Sequence, residues 1–179
     1  SPYAYSGNPF QADIQTTVFY PLHRLALLLP PVASLGWSAI AHFVIAGIGM
    51  YLYLRAIRVS NAASLLGAAA FTFSGFLVTY VQVIIITNSA AWLPWVMLGS
   101  ELAWSRRDLR WTTLGGIALA LQLLAGHTQI AYYTVMLLGL EGLWRASMSL
   151  HARSKATLSL LIPALTLLLA LALSAIQVL

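Results

Sequence analysis

Long apolar runs separated by brief polar punctuation set the plan of this chain. From about Leu35 to Leu54 the residues are almost continuously apolar, and Arg55 and Arg58 follow. The chain then stays apolar from Ala62 to Trp104. As one helix that run would be roughly 60 Å long at about 1.5 Å per residue, twice a bilayer core of ~30 Å. It has to fold back, and Gln82 to Asn88 is its most polar part. Spans are therefore expected at about 62–81 and 89–104. Two shorter ones follow at about 111–125 and 129–145, joined by Gly126-His127-Thr128, and a last at about 157–179. The pattern predicts an all-α polytopic membrane protein with about six transmembrane helices in residues 35–179.

Residues 1–34 read differently, as an extramembrane loop followed by an interfacial helix. Pro2, Gly7, Asn8 and Pro9 are turn formers. A helix is expected from Asp13, as N-cap, to about Leu29, with Ile14, Val18, Leu22 and Leu25 on one face. Pro21 should kink it, and Pro30-Pro31 should end it.

Charge placement orients these elements. The loops at 55–60, 105–110 and 145–156 share one side of a six-span chain. They hold Arg55, Arg58, Arg106, Arg107, Arg110, Arg145, Arg153 and Lys155, whereas Arg24 alone lies on the other side. The positive-inside rule puts the basic loops in the cytoplasm and residues 1–34, Asn88 and Gly126–Gln129 on the outer face.

Composition agrees: 60% of residues are hydrophobic and 7% charged, with a mean hydropathy of +0.85. Soluble domains carry about a quarter charged residues. A net charge of +5 confined to short loops does not point to nucleic acid. Without cysteine there are no disulfides, thiolate metal sites or cysteine nucleophiles. The start at Ser1 and the stop inside an apolar run suggest a piece of a longer protein.

Few side chains here carry chemistry. Asp13 is the only carboxylate before Glu101. At a membrane surface it could bind a divalent cation (Mg or Mn) or act as a base, or simply cap a helix. His127 and Gln129 flank a turn between two short spans, where a water-filled recess is expected. Arg24, next to His23, could meet an anionic headgroup or a phosphate. Asn88 reads as a turn residue. His42 lies within a span, where it could ligate haem or chlorophyll or simply hydrogen-bond between helices. Glu141 precedes Arg145 by four, a favourable helical ion-pair order.

Gly7-Asn8-Pro9-x-x-Ala12-Asp13-x-Gln15 with Val18-Phe19-Tyr20-Pro21 resembles the first outer loop of YfhO-like bacterial membrane proteins, of the GT-C class of polytopic glycosyltransferases. Ala46-Gly47-x-Gly49-Met50-Tyr51, Phe73-Ser74-Gly75-Phe76, Ala91-Trp92-Leu93-Pro94, Leu124-Ala125-Gly126-His127-Thr128-Gln129 and Ser174-Ala175-Ile176-Gln177 follow in the same order. The resemblance implies a bacterial cytoplasmic-membrane enzyme that passes a sugar from a polyprenyl-phosphate donor to an extracytoplasmic acceptor. It places Asp13 as the catalytic or metal-binding carboxylate, with Gln15, Tyr20, His127 and Gln129 among the substrate contacts. Arg24 and Asn88 join them from their positions alone. The family's first span and its acidic motif have no counterpart in this chain. The alternative is a non-catalytic subunit of a larger respiratory or photosynthetic membrane complex, with His42 or His127 on haem or a pigment.

Overall fold

The computed structural model describes residues 14–26, 28–148 and 153–178, and among them it is helical without a strand. The helices are α1 (Pro21–Ala26), α2 (Pro31–Ala56), α3 (Asn61–Thr72), α4 (Gly75–Thr79), α5 (Ile84–Ala90), α6 (Leu93–Arg106), α7 (Thr112–Leu124), α8 (Thr128–Met148) and α9 (Arg153–Val178). Three stretches are long and apolar enough to cross a membrane: Pro31–Ala56, Asn61–Gln82 and Ala156–Ile176. By contrast α6 and α7, with 14 and 13 residues, are each about 20 Å long at 1.5 Å per residue and fall short of a ~30 Å core.

Local chemistry explains where the elements depart from the sequence expectation. The helix expected over Asp13–Leu29 is divided. Residues Ile14–Thr16 make one 3-10 turn, Thr17 turns left-handed at φ 51°, and α1 begins only at Pro21. Asp13 itself lies outside the described residues. Pro30-Pro31 starts an element rather than ending one. Pro31 occupies the first turn of α2, where its missing N–H leaves no bond unmade. The run at 62–81 breaks after Thr72, and the Ser74 hydroxyl restarts it by accepting from the Leu77 N–H. The chain turns back at Tyr80–Val83, so Asn88 is not in a turn; it sits fully buried within α5. The expected span at 89–104 is thus two helices, separated at Ala91-Trp92 ahead of Pro94.

Contacts fix the directions of the helices. The Trp95 indole N–H on α6 donates to the Ile45 carbonyl on α2 at 2.9 Å, and Arg145 on α8 reaches Glu101 on α6. With Trp92 close to Tyr20 and Glu101 close to Arg145, α2, α6 and α8 all run away from α1. Helix α7 returns antiparallel to α6, since Gly115 meets Gly99 while Gln122 bonds to Ser89. Helix α9 runs beside α7, packing Thr166 on Gly115 and Leu169 on Gly116. The core between them is Val96, Ala118, Leu119, Ala120, Leu138 and Ala170.

Small residues permit this closeness. A Cβ on Gly99 would lie 2.4 Å from the Gly115 nitrogen, so the two backbones touch. Helix α9 carries Pro163 internally, and Gly142 of α8 lies against that turn: a Cβ there would be 2.8 Å from the Ser159 carbonyl oxygen and 2.9 Å from the Pro163 ring. On α2, Ser38, His42, Ala46 and Gly49 form the buried stripe, while Val32, Ile40, Val44 and Ile48 stand exposed on the other side.

At the end away from α1, Arg145 bonds Glu101 at 2.5 Å and Glu141 at 2.6 Å, the latter being the i,i+4 pair expected from the spacing. Ser100 donates to the second Glu141 oxygen, and Trp104 lies under the guanidinium.

Candidate polar site beneath the first described segment

The segment 14–26 crosses the beginning of α2 as a strap, held by Tyr20. The Tyr20 side chain is wholly buried, packed with Leu124 and Ala125 at the end of α7 and flanked by Phe19, Leu22 and Leu121. Its apolar ring explains the depth of insertion, and its hydroxyl then needs partners. The Trp92 N–H donates to that hydroxyl at 2.8 Å, and the hydroxyl lies 2.5 Å from His42 Nε2. His42 Nδ1 lies 2.7 Å from the Ser38 carbonyl. A carbonyl only accepts, so Nδ1 carries the proton, Nε2 accepts, and Tyr20 donates to it. Burial pushes the Tyr20 phenol above its usual pKa, which keeps it a donor.

A second histidine repeats this arrangement. The Thr17 hydroxyl donates to the Thr16 carbonyl at 2.8 Å and so has no second proton to offer. His23 Nδ1, 2.5 Å away, is therefore the donor to Thr17. His23 Nε2 then accepts from the Asn88 amide at 2.9 Å, and the same nitrogen of Asn88 reaches the Ser38 hydroxyl at 3.4 Å. Asn88 Oδ1 is buried with no partner.

Beside this network a cavity of about 560 Å³ opens between the strap and the first turns of α2. Thr16, Thr17, Ser34 and Ser38 bring hydroxyls to it, His23 and Arg24 bring basic groups, and Val18, Ala26 and Leu35 bring apolar surface. Arg24 is exposed, and its Nε donates to the Val18 carbonyl at 3.0 Å, which leaves the terminal nitrogens available. On the other flank of α1 a smaller, apolar cavity of about 270 Å³ runs from Leu22 to His42.

The structure thus gathers Tyr20, His42 and Asn88 into one bonded network and sets Arg24 on the adjoining cavity. Gln15 is exposed on the 3-10 turn. His127, in the Gly126 turn (φ 92°), is half-buried with Nδ1 enclosed and unpartnered. Gln129, in the first turn of α8, is exposed and bonded to Tyr133. His42 has both ring nitrogens engaged, so ligating haem or a pigment requires breaking the Tyr20 or the Ser38 bond. Among the described residues no three His, Asp or Glu side chains gather where they could hold a metal ion. Sequence reasoning missed Ser38, Trp92 and Thr17 as partners; the Ser38–His42 spacing of four was the one available signal.

Tyr20→Phe is expected to cost about 2 kcal/mol, because it strands the Trp92 N–H and His42 Nε2 in a buried site. Thermal unfolding in detergent checks this; Phe19→Leu, which removes no hydrogen bond, should cost less. Compared with protein-family models, curated proteins and solved structures, the chain matches none.

Proposed function

We propose that this chain belongs to a membrane glycosyltransferase-like protein. In this reading it takes a sugar from a polyprenyl-phosphate donor, and the cavity beneath the strap receives the donor's phosphate and the start of its chain. The observation that supports this most is the make-up of that cavity: one guanidinium, one imidazole and four hydroxyl side chains beside aliphatic surface. Such a lining suits an amphiphile with an anionic head, because arginine pairs with phosphate through charge-assisted bonds and hydroxyls meet sugar or phosphate oxygens. The nearby apolar corner adds to the case, since Leu25, Leu28 and Val32 are 61%, 84% and 86% exposed and a bilayer would cover them.

In the same reading the chain makes six passes, with α6 and α7 as short crossings and the strap on the extracytoplasmic face of a bacterial cytoplasmic membrane. Asp13 is the base that deprotonates the acceptor hydroxyl while the phosphate leaves with the bond electrons. Arg24 offsets the charge on that leaving phosphate.

The test is sugar transfer from a polyprenyl-phosphate-linked sugar by the full-length protein in proteoliposomes. Arg24→Gln is expected to weaken donor binding roughly 10–100-fold, the worth of a charge-assisted bond of about 1.5–3 kcal/mol. Asp13→Asn is expected to abolish transfer and leave the fold intact. Transfer at the unaltered rate in both variants would overturn the reading.

A further inference from the structure

Three side-chain ties join the strap to the helices beneath it: the Trp92 N–H donates to the Tyr20 hydroxyl, and the other two end on a histidine nitrogen that accepts a hydrogen bond. Tyr20 donates to His42 Nε2, and Asn88 donates to His23 Nε2, while each Nδ1–H is already committed to Ser38 or Thr17. We propose that residues 14–26 form a proton-released strap: neutral His23 holds it closed over the cavity, and protonation of His23 lets it lift. This does not rest on the transferase reading.

Donors and acceptors decide the outcome. Protonated His23 carries N–H on both nitrogens, so Nε2–H would face the Asn88 N–H groups across a contact of 2.9 Å. Turning the Asn88 amide would present Oδ1 instead. It would also carry the amide protons into the place where Oδ1 now finds no partner, and the cation would stay half-buried. Among the described residues the groups around His23 offer that cation no countercharge. Arg24 adjoins it on α1 and the Tyr20 ring meets it edge-on at 5.3 Å; α2 presents Ser38 and His42, α5 presents Asn88, and the 3-10 turn leads to Thr17. Among the described residues the carboxylates are Glu101, Asp108 and Glu141. Glu101 and Glu141 pair with Arg145, and Asp108 caps the turn before α7, all at the far end of the helices.

Burial holds the His23 imidazole below its ordinary value of 6.5. Its folded state therefore binds a proton less readily than its unfolded state. The stability it lends the strap is present above about pH 6.5 and is lost as pH falls below that value. Lifting would merge the two cavities that flank α1 and expose Tyr20.

Hydrogen exchange of the full chain in nanodiscs, corrected for the intrinsic pH dependence of exchange, reads this directly. Protection of amides in residues 15–26 is expected to fall severalfold between pH 7.5 and 5.5, at most about tenfold for a single group of ordinary pKa 6.5 over that interval, while amides of α7 keep theirs. Asn88→Asp puts an acceptor opposite Nε2–H and is expected to keep the strap protected at pH 5.5. His23→Gln, whose amide accepts from Asn88 at any pH, is expected to remove the pH dependence. Unchanged wild-type protection across this range would overturn the proposal. So would a His23→Gln variant that loses protection with the wild-type midpoint.

Discussion

Gly99→Ala is expected to destabilise the protein by roughly 3 kcal/mol or more, the largest single effect of any one-methyl change here. The new Cβ would lie 2.4 Å from the Gly115 nitrogen, 2.7 Å from its Cα and 3.1 Å from the Trp111 carbonyl oxygen. All three are backbone atoms on or just before α7, so no side chain can swing aside. The helices have to separate, and the neighbouring Val96–Leu119–Ala170 core loses its packing with them. Gly139→Ala supplies the contrast. Nothing lies within 4 Å of that position on α8, so a Cβ fits freely, and removing a helical glycine is worth up to about 1 kcal/mol of stabilisation. Thermal unfolding of the two variants in one detergent checks both; a Gly99→Ala protein as stable as the parent would refute the close approach.

Arg145→Gln is expected to cost about 3 kcal/mol, the lower end for removing one member of a buried ion pair, because this one is only partly buried. It leaves the Glu101 and Glu141 carboxylates, with side chains only 11% and 13% exposed, facing each other without a cation. Glu101→Gln should be far milder, because Arg145 keeps its pairing to Glu141 through two nitrogens and its place over Trp104. The asymmetry is the discriminating result. Equal losses from the two substitutions would mean that the three groups act as independent surface charges.

What could be read in the sequence was whatever repeats at the scale of a helix turn or a bilayer. The apolar runs gave helical structure throughout, the turn at Gly126-His127-Thr128, the Glu141–Arg145 pair and the approximate ends of α7 and α8. Misread positions were those where one residue type has two opposite uses. Pro31 has the chemistry to stop a helix and instead begins α2, and Asn88 has that of a turn former while its burial within α5 depends on partners 50 and 65 residues away. The candidate site was legible in its ingredients and not in its wiring. Tyr20, Arg24 and His42 stood out as polar or aromatic groups in an apolar chain. Nothing local shows that Tyr20 reaches back to His42 and across to Trp92, because those pairings exist only once α2, α6 and the strap are side by side. Gly99 and Gly115 were hidden for a like reason: a lone glycine in an apolar run shows its purpose only when the facing helix is in place.

The proline in α9 has a consequence for how such a chain is made. A helix turn containing proline lacks one backbone N–H, and in lipid no water can make up for it. Here Gly142 of α8 is laid directly on that turn, so protein rather than lipid covers its weakest point. Helix α8 precedes α9 in the chain and is synthesised first. In a bilayer the covering surface would thus be available before the helix that needs it is complete.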